Sequence, residues 1–171
     1  EEGRDLFRNV RDLYFKTRNT QHHPGVAGLQ ITRLYEVEIA EMKRKYEVSA
    51  RDLGNVRSDL WHGTRASNLL SILKHGLVIP PANAAQCTGM MFGNGIDTSL
   101  QSTKALNYAT DFWNRSGMRN QRTFMFLCDV ALGKVHKPRT PVGHYPVRGS
   151  HTTWVEPGRG GVQNHECIVY D

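Results

Sequence analysis

The sequence has few cysteines and no long apolar run. Its three cysteines are odd in number and far apart, which argues against a fold built on disulfide bonds: Cys87, Cys128 and Cys167. No stretch approaches the roughly 20 apolar residues of a membrane-spanning helix, so we expect no membrane partner. The N-terminal segment EEGRDLFRNV lacks the apolar core of a signal peptide. These absences favour a reducing intracellular compartment, without distinguishing the cytosol from the nucleus.

Several chemical motifs are also missing. The sequence contains no GxxxxGK[ST], no GxGxxG after a strand and no GxSxG, so the usual phosphate-loop, Rossmann and serine-hydrolase interpretations fail. Eight histidines suggest a zinc site, but there is no CxxC, HExxH or HxxxH pair. His22 and His23 are adjacent, which suits a solvated loop better than chelation. We therefore expect no bound metal.

The length and charge of the chain are typical of one basic globular domain. Its 171 residues are 39% hydrophobic and 22% charged, which fits a single folded unit spanning residues 1–171. Lys and Arg number 22 against 16 Asp and Glu, which gives a formal net charge of +6. Such a surplus permits nucleotide, nucleic-acid or acidic-protein partners and selects none of them.

Apolar periodicity predicts short strands separated by helices. Helical spacing covers residues 2–16, 40–49, 66–75 and 102–113, the last of these capped by Ser102. Strand patterns cover residues 29–39, 59–62, 123–132 and 168–170. Residues 80–95 and 134–161 are interrupted by Gly and Pro, which is typical of irregular loops. Because strands and helices do not alternate regularly, the pattern predicts an α+β fold.

Two polar residues stand out at predicted strand ends. His62 lies between Trp61 and Gly63, and Glu166 opens the apolar run 167–170. A buried acidic residue costs free energy unless it is paired or used. On local evidence alone, the favoured interpretations are structural. His62 would then be a histidine bonded to the backbone at the edge of the core, and Glu166 an ion-pair partner for an arginine.

Short motifs follow one another along nearly the whole chain. They are Leu60-Trp61-His62-Gly63-Thr64-Arg65, Gly76-Leu77, Thr88 to Ile96, Lys104 with Asn107 and Tyr108, Val130 to Gly133, and Glu166 to Asp171. In this order and spacing, the chain resembles the catalytic domain of the poly(ADP-ribose) polymerases, which are diphtheria-toxin-type ADP-ribosyltransferases. Any one of these motifs alone would be weak evidence, whereas the ordered set is specific.

The resemblance implies a fold and an activity. The fold is a split antiparallel sheet with flanking helices and an NAD cleft between its halves. The activity is cleavage of the nicotinamide–ribose bond of NAD and transfer of ADP-ribose to an acceptor, with NAD as substrate and no metal. Such a bond breaks through an oxocarbenium-like state, so catalysis depends mostly on positioning and electrostatics. The family's helical regulatory domain is not expected within residues 1–171.

The resemblance also assigns catalytic roles. His62 would hydrogen-bond a ribose hydroxyl of NAD, and Tyr108 would stack on the nicotinamide ring. Gly63 would present its backbone N–H and C=O to the carboxamide, where a side chain would obstruct approach. Glu166 would bind the 2′-hydroxyl of the nicotinamide ribose and orient or deprotonate the acceptor.

Further NAD contacts are implied around these catalytic residues. Thr64 and Asn68 match positions on the adenosine side. Gly95 and Asp97 belong to the glycine motif and are included among the NAD-binding residues, and the loop 80–92 would cover the donor.

Three positions depart from the family pattern. Asp97 replaces a tyrosine that usually packs against nicotinamide, Ala105 replaces a serine that usually bonds the carboxamide, and Val78 replaces a frequent basic residue. These changes leave three alternatives. Asp97 accepts a hydrogen bond from the nicotinamide amide, NAD affinity is low, or the domain binds without catalysis. Retention of His62 and Glu166 argues against the last.

The acceptor stays open between protein and nucleic acid. Basic clusters at residues 43–45, 115–122 and 134–139, with Trp113 and Trp154 near some of them, suit a phosphate backbone, although a solvated basic surface is the favoured explanation for them. Glu166 is the residue type that goes with chain elongation in the family. A short basic transferase nevertheless resembles single-transfer effector or toxin modules, so we expect a monomer that transfers one ADP-ribose. The alternatives are a catalytically weakened module that binds NAD, ADP-ribose or nucleic acid, and an NAD glycohydrolase.

Overall fold

The computed structural model describes residues 2–21, 24–79, 81, 90–110, 122–140, 144–159 and 161–170. Its α-helices are α1 (Glu2–Lys16), α2 (Pro24–Ala27), α3 (Ala40–Leu53), α4 (Leu69–His75) and α5 (Ser102–Thr110). Its strands are β1 (Val56–Gly63), β2 (Ile96–Thr98), β3 (Met125–Ala131), β4 (Val135–His136), β5 (Thr152–Val155) and β6 (Glu166–Val169). Two short 3₁₀ turns lie at Ala66–Asn68 and Met90–Phe92.

The strands form a sheet that is split in two. β1 and β3 pair antiparallel, and a second sheet has the order β2-β6-β5-β4, antiparallel except for the parallel pair β4–β5. The two parts meet where Trp61 and Ser99 exchange backbone N–H···O=C hydrogen bonds of 2.8 and 2.9 Å. The α+β fold with a split sheet, predicted from the sequence, is confirmed.

Apolar side chains from both parts of the sheet bury the junction. One cluster comes from β1, β3, β5, β6 and the residue after β3: Leu60, Val130, Leu132, Trp154, Cys167 and Val169. A second cluster joins β1 to the helices: Tyr14, Val26, Trp61, Ala105 and Leu106. Burying a large apolar side chain stabilises a fold by about 1.5–3 kcal/mol, so these clusters fix how β1 and α5 lie against each other.

Helix α5 is held at its N-terminus by the end of α1. The Ser102 N–H donates to the Thr17 carbonyl at 3.2 Å, and the Ser102 hydroxyl donates to the Tyr14 carbonyl at 2.8 Å. The Asn19 N–H donates to the Thr103 hydroxyl at 2.9 Å. The hydroxyl of Ser102, the residue predicted to cap this helix, thus donates to a carbonyl of α1 and ties the two helices together, while its capping role stays a prediction.

Most of the predicted helices are confirmed. α1 covers residues 2–16 as expected, and α3 extends four residues beyond the predicted range 40–49. The helix expected over 66–75 begins as a 3₁₀ turn and ends at Gly76, where φ is 80° and the N–H donates to the Ile72 carbonyl. Within the described ranges, no helix is long and apolar enough to cross a bilayer.

The predicted strand over residues 29–39 is wrong, because that segment forms neither strand nor helix. Leu29 and Ile31 pack against the second cluster, and the Leu29 carbonyl accepts a hydrogen bond from Tyr14 Oη at 2.8 Å. Tyr35 and Val37 are exposed. Alternation of apolar and polar residues predicts a strand only where another strand lies beside it, and here none does among the described residues.

Three strands were missed by the sequence pattern. β2 has only three residues and follows the glycine motif, while β4 and β5 lie in the Gly- and Pro-rich stretch predicted to be irregular. The predicted loop over residues 80–92 and the basic cluster over 115–122 fall largely outside the described residues.

Candidate active site

The ends of β1, β2 and β6 bring polar side chains to one side of helix α5. β2 and β6 pair antiparallel, so that Asp97 lies opposite Ile168 and Thr98 opposite Cys167. The Thr98 hydroxyl adds a hydrogen bond of 2.9 Å to the Cys167 carbonyl. Glu166, at the start of β6, is thereby placed near Asp97, although the two residues are far apart in the sequence.

Lys104 of α5 bridges the two carboxylates. Its Nζ lies 2.7 and 2.9 Å from the two carboxylate oxygens of Asp97 and donates to Oε2 of Glu166. The lysine is only 5% exposed, and an ammonium at that depth is stable only when anions surround it. Burial by itself lowers the pKa of Lys104, but Asp97 and Glu166 outweigh it and hold the pKa above its usual value.

The environment of Glu166 gives its carboxyl the pKa of a base that works near neutral pH. Burial, and secondarily the charge of Asp97, raises the pKa of Glu166 to about 7, while Lys104 opposes the shift. A general base is most effective when its pKa lies close to the working pH. An ordinary carboxyl, with a pKa near 4.5, would be a much weaker base.

His62, near the end of β1, is held in one tautomer. Its Nδ1 lies 2.7 Å from the backbone carbonyl oxygen of Asp97, so Nδ1 carries the hydrogen and donates it. Burial lowers the pKa of His62 below its usual value, against the raising effect of that hydrogen bond. A neutral imidazole with Nδ1–H leaves Nε2 as a hydrogen-bond acceptor, which is suited to a hydroxyl group.

Two glycines let backbone segments approach closely at the site. A Cβ built on Gly63 would lie 1.7 Å from the Ala105 carbonyl oxygen, so β1 and α5 touch backbone to backbone there. A Cβ on Gly95 would lie 2.6 Å from the Val169 carbonyl oxygen and from Cγ2 of Ile168. Any other residue at either position would push the strands and helix apart.

The other predicted residues lie beside this group. The Tyr108 ring is half-buried on α5, with Lys104 Nζ 6.0 Å from its centroid. Burial, and then Asp97, raises the pKa of Tyr108. Asn68 donates a 2.9 Å hydrogen bond from Nδ2 to the Thr64 hydroxyl just past β1. Among the described residues, no group of three or more metal-binding side chains lies together.

The positions that depart from the family pattern have distinct surroundings. Ala105 is 4% exposed and packs in the second apolar cluster, so nothing at this position replaces the missing hydroxyl. Val78 is 63% exposed. Asp97 binds Lys104 with its carboxylate and His62 with its backbone.

Lys104 belongs to the family motifs in the sequence, but no role was predicted for it. The usable clue was its isolation, because Lys104 is the only charged residue in the helix sequence STKALNYAT. A single lysine among small and apolar residues in a helix must find an anion if that helix is buried. The sequence could not show which anion, because Asp97 and Glu166 reach it only through the pairing of β2 with β6.

Comparison with known proteins identifies the family. The profile described as poly(ADP-ribose) polymerase catalytic domain matches residues 5–155. The chain belongs to this family. The match confirms the resemblance that the ordered motifs indicated. The matched range ends before β6, so the assignment of Glu166 rests on the motif and on the geometry described above.

Individual relatives agree with the family assignment. The chain is 38% identical over 134 residues to poly [ADP-ribose] polymerase 2 of Homo sapiens, covering 77% of this chain and 22% of the relative. It is 33% identical over 144 residues to poly [ADP-ribose] polymerase 1 of Arabidopsis thaliana, covering 82% and 14%. It is 32% identical over 124 residues to poly [ADP-ribose] polymerase tankyrase of Caenorhabditis elegans, covering 72% and 5%. The chain thus spans less than a quarter of the length of each.

Proposed function

We propose that residues 1–171 form one catalytic domain that breaks the nicotinamide–ribose bond of NAD and transfers a single ADP-ribose to a macromolecular acceptor. The observation that carries this proposal is the combination of a neutral His62 with a Glu166 carboxylate held by Lys104. The first offers an acceptor for a ribose hydroxyl, and the second offers a base of suitable strength. Both are supplied by residues that the family resemblance assigns to the reaction.

The proposed reaction transfers an electron pair and a proton and requires neither a metal nor a redox partner. As the bond between C1′ and the nicotinamide nitrogen breaks, its electron pair goes to the nitrogen and releases neutral nicotinamide. The positive charge passes to the ribose ring, where the Glu166 carboxylate stabilises it electrostatically. An acceptor oxygen or nitrogen then bonds to C1′, and its proton goes to Glu166.

The remaining residues would bind the donor. His62 Nε2 would accept a hydrogen bond from a ribose hydroxyl, because its Nδ1–H is already committed to Asp97. Tyr108 would stack on the nicotinamide ring, and the backbone of Gly63 would hold the carboxamide.

The rest of the donor is proposed to lie along the neighbouring turns. Gly95 would allow close approach, and Asp97 would accept from the amide N–H of nicotinamide. Thr64 and Asn68, which bond each other at 2.9 Å, would contact the adenosine part.

We propose that the acceptor presents an anionic surface. Residues 130–155 contain no Asp or Glu but carry Lys134, Lys137, Arg139 and Arg148, and all four side chains are exposed. Tyr145 in this segment packs on Phe92 with ring centroids 5.5 Å apart, which places the segment beside the glycine motif. The basic cluster at residues 43–45 differs, because Lys43 and Lys45 pair with Glu38 and Glu41.

Labelled NAD tests the function directly. Wild type incubated with whole-cell lysate should release nicotinamide and label a macromolecule, and Glu166→Gln should abolish both. Splitting the product between protease and nuclease identifies the class of acceptor, and a ladder of labelled sizes would show that more than one unit is added. If no lysate supports nicotinamide release by wild type, the proposed enzyme activity is wrong.

A second candidate function is a binding module without turnover. The observation favouring it is that Asp97 and Ala105 stand where the family usually has a tyrosine and a serine that hold nicotinamide. Calorimetry would then show NAD or ADP-ribose binding, with no nicotinamide released. Free ADP-ribose made without any macromolecule would instead indicate that water is the acceptor and that the enzyme is an NAD glycohydrolase.

A further inference from the structure

Asp97 is the residue at the site that the family pattern does not explain, and its carboxylate is turned to Lys104. Both of its oxygens lie within hydrogen-bond distance of Lys104 Nζ, at 2.7 and 2.9 Å. A tyrosine, the usual residue here, has no negative charge to offer. The chain has therefore added an anion beside the pair formed by Lys104 and Glu166.

The backbone of Asp97 is fixed from two sides. In β2 it is paired with Ile168 of β6, and its carbonyl accepts the hydrogen from His62 of β1. The carboxylate therefore projects from a rigid strand, whereas Lys104 reaches the site on a long flexible stem. Of the partners that bind the ammonium, Asp97 has the shorter side chain, so it is the one that fixes the ammonium in space.

Glu166 in turn depends on where the ammonium lies. The contact from Lys104 uses Oε2, and the other oxygen, Oε1, takes no part in it. A carboxylate held at one oxygen has its orientation set and can still receive a hydroxyl proton at the other. The side chain of Glu166 is 16% exposed, and that of Asp97 is 30% exposed.

We propose that Asp97 is a positioning residue for the transfer step, because its carboxylate fixes the Lys104 ammonium, which in turn holds Glu166 by one oxygen and leaves the other for the substrate. The inference rests on the proposed function. It adds that the charge at position 97 keeps Glu166 a base strong enough to take the proton of the acceptor. In the part of the chain that the structure describes, the charged or titratable groups that act on Glu166 are Asp97 from β2 and Lys104 and Tyr108 from α5.

Carbon-13 NMR of glutamate carboxyls tests the proposal without requiring activity. Glu166→Gln assigns the resonance. In Asp97→Asn the titration of Glu166 should move to lower pH by about one unit, because a like charge has gone and Lys104 binds Glu166 alone. Asp97→Glu, which keeps the charge, should leave the titration near that of wild type. The matched control is Asp59→Asn, which removes a carboxylate bonded to Arg57 at 2.7 Å.

Kinetics of the same variants give the second measurement. Asp97→Asn should lower kcat about tenfold at neutral pH and move the acid limb of kcat to lower pH. Because Asp97 is also proposed to accept from the nicotinamide amide, the KM for NAD should rise as well, but not without the change in kcat. If the variant does not fold, Asp97→Tyr removes the same charge with the residue usual in the family and should show the same shift in NMR.

Three results would overturn the proposal. The first is a titration of Glu166 that does not change in the variants that lack the charge at position 97, and the second is a kcat of Asp97→Asn equal to that of wild type. The third is a rise in the KM for NAD alone, which would mean that Asp97 contacts NAD without positioning Glu166. If wild type releases no nicotinamide, the proposed function fails, and the NMR titration still decides whether Asp97 acts on Glu166.

Discussion

The Nδ1 atom of His62 lies 2.7 Å from the backbone carbonyl oxygen of Asp97. This hydrogen bond joins the two parts of the split sheet inside the site, and it is made by the backbone of Asp97 and not by its side chain. A substitution at Asp97 therefore removes the carboxylate and leaves the partner of His62 in place. The two contributions of Asp97, one from its backbone and one from its side chain, can be measured separately.

The pH dependence of turnover should follow Glu166. Because the pKa of its carboxyl is raised to about 7, kcat should fall about tenfold for each pH unit below that value, as Glu166 gains a proton. Glu166→Gln should lower nicotinamide release by more than about 100-fold at pH 8, and the difference from wild type should shrink as the pH falls. Glu156→Gln is the matched control, since Glu156 is exposed and accepts a hydrogen bond from Trp154. An acid limb near the ordinary pKa of a carboxyl would contradict this assignment of the base.

Removing the buried ammonium should destabilise the protein. Lys104→Met leaves the carboxylates of Asp97 and Glu166 close together and unneutralised, which we expect to lower the free energy of unfolding by about 3–5 kcal/mol at pH 8. Lys104 holds the pKa of Glu166 down, so its loss raises that pKa further, and the deficit should shrink as acid protonates the carboxyl. Urea denaturation at two pH values measures this.

The control for the lysine substitution is Lys45→Met. Lys45 pairs with Glu41 at 2.9 Å on the exposed face of α3, where an ion pair contributes little. Its loss should leave the urea midpoint unchanged. Equal effects of the two substitutions would mean that burial of Lys104 does not matter.

Gly63→Ala should disrupt the junction of β1 and α5. The added Cβ would lie 1.7 Å from the Ala105 carbonyl oxygen, and since that atom is backbone, the helix itself must move. We expect a melting temperature lower by more than about 10 °C, or no soluble protein. Gly3→Ala, where nothing lies within 4 Å, should keep or raise the melting temperature. A stable, active Gly63→Ala protein would contradict the close approach.

Acid should unfold the protein partly through His165. Its Nδ1 accepts from the Leu100 N–H at 3.0 Å, and burial lowers its pKa to about 4. A folded-state pKa below the unfolded value means that stability is present above about pH 6.5 and is lost as the pH falls through the folded pKa. His165→Asn keeps a hydrogen-bond acceptor and removes the titrating group. Between pH 7 and 4, the unfolding free energy of this variant should therefore fall by about 2 kcal/mol less than that of wild type.

The matched substitution for this acid prediction is His144→Asn, at an exposed position. It should leave the acid dependence of unfolding as in wild type. Chemical denaturation across the same pH range compares the two variants. If His165→Asn and wild type lose stability equally as the pH falls, His165 does not contribute to acid unfolding.

Charge reversal in the basic segment should weaken use of the acceptor. Lys137→Glu combined with Arg139→Glu should reduce labelling of lysate at least about threefold and reduce its salt dependence. Release of nicotinamide to water should not change. Reversal of Lys43 and Lys45, which already have acidic partners, is the control and should have little effect. If labelling does not change when these charges are reversed, the acceptor binds to another part of the protein.

Local patterns in the sequence predicted the helices better than the short strands. The apolar spacing of α1 is complete within its own residues, so it could be recognised directly. β2, from Ile96 to Thr98, is a strand because β6 lies beside it, and that partner is distant in sequence. Residues 29–39 show the reverse case, since they have the alternation of a strand and no neighbour.

The candidate site was predicted mostly through the family motifs. His62 and Glu166 were found in this way, while local reasoning favoured structural roles for both. The part that stayed hidden was the link through Lys104, because a salt bridge between residues 97, 104 and 166 depends on the register of β2 and β6. The same register explains how the carboxylate of Asp97 comes to lie against the ammonium.

The attachment of α5 to the end of α1 has a practical consequence for anyone who shortens this chain. No residue of α1 is a candidate for the reaction, and an alignment of active-site motifs alone would place the start of the catalytic unit after it. Yet Tyr14 and Thr17 supply the carbonyls that hold Ser102, two residues before Lys104. A protein that begins after Thr17 would keep every reactive group and lose both carbonyls that support the helix carrying the lysine.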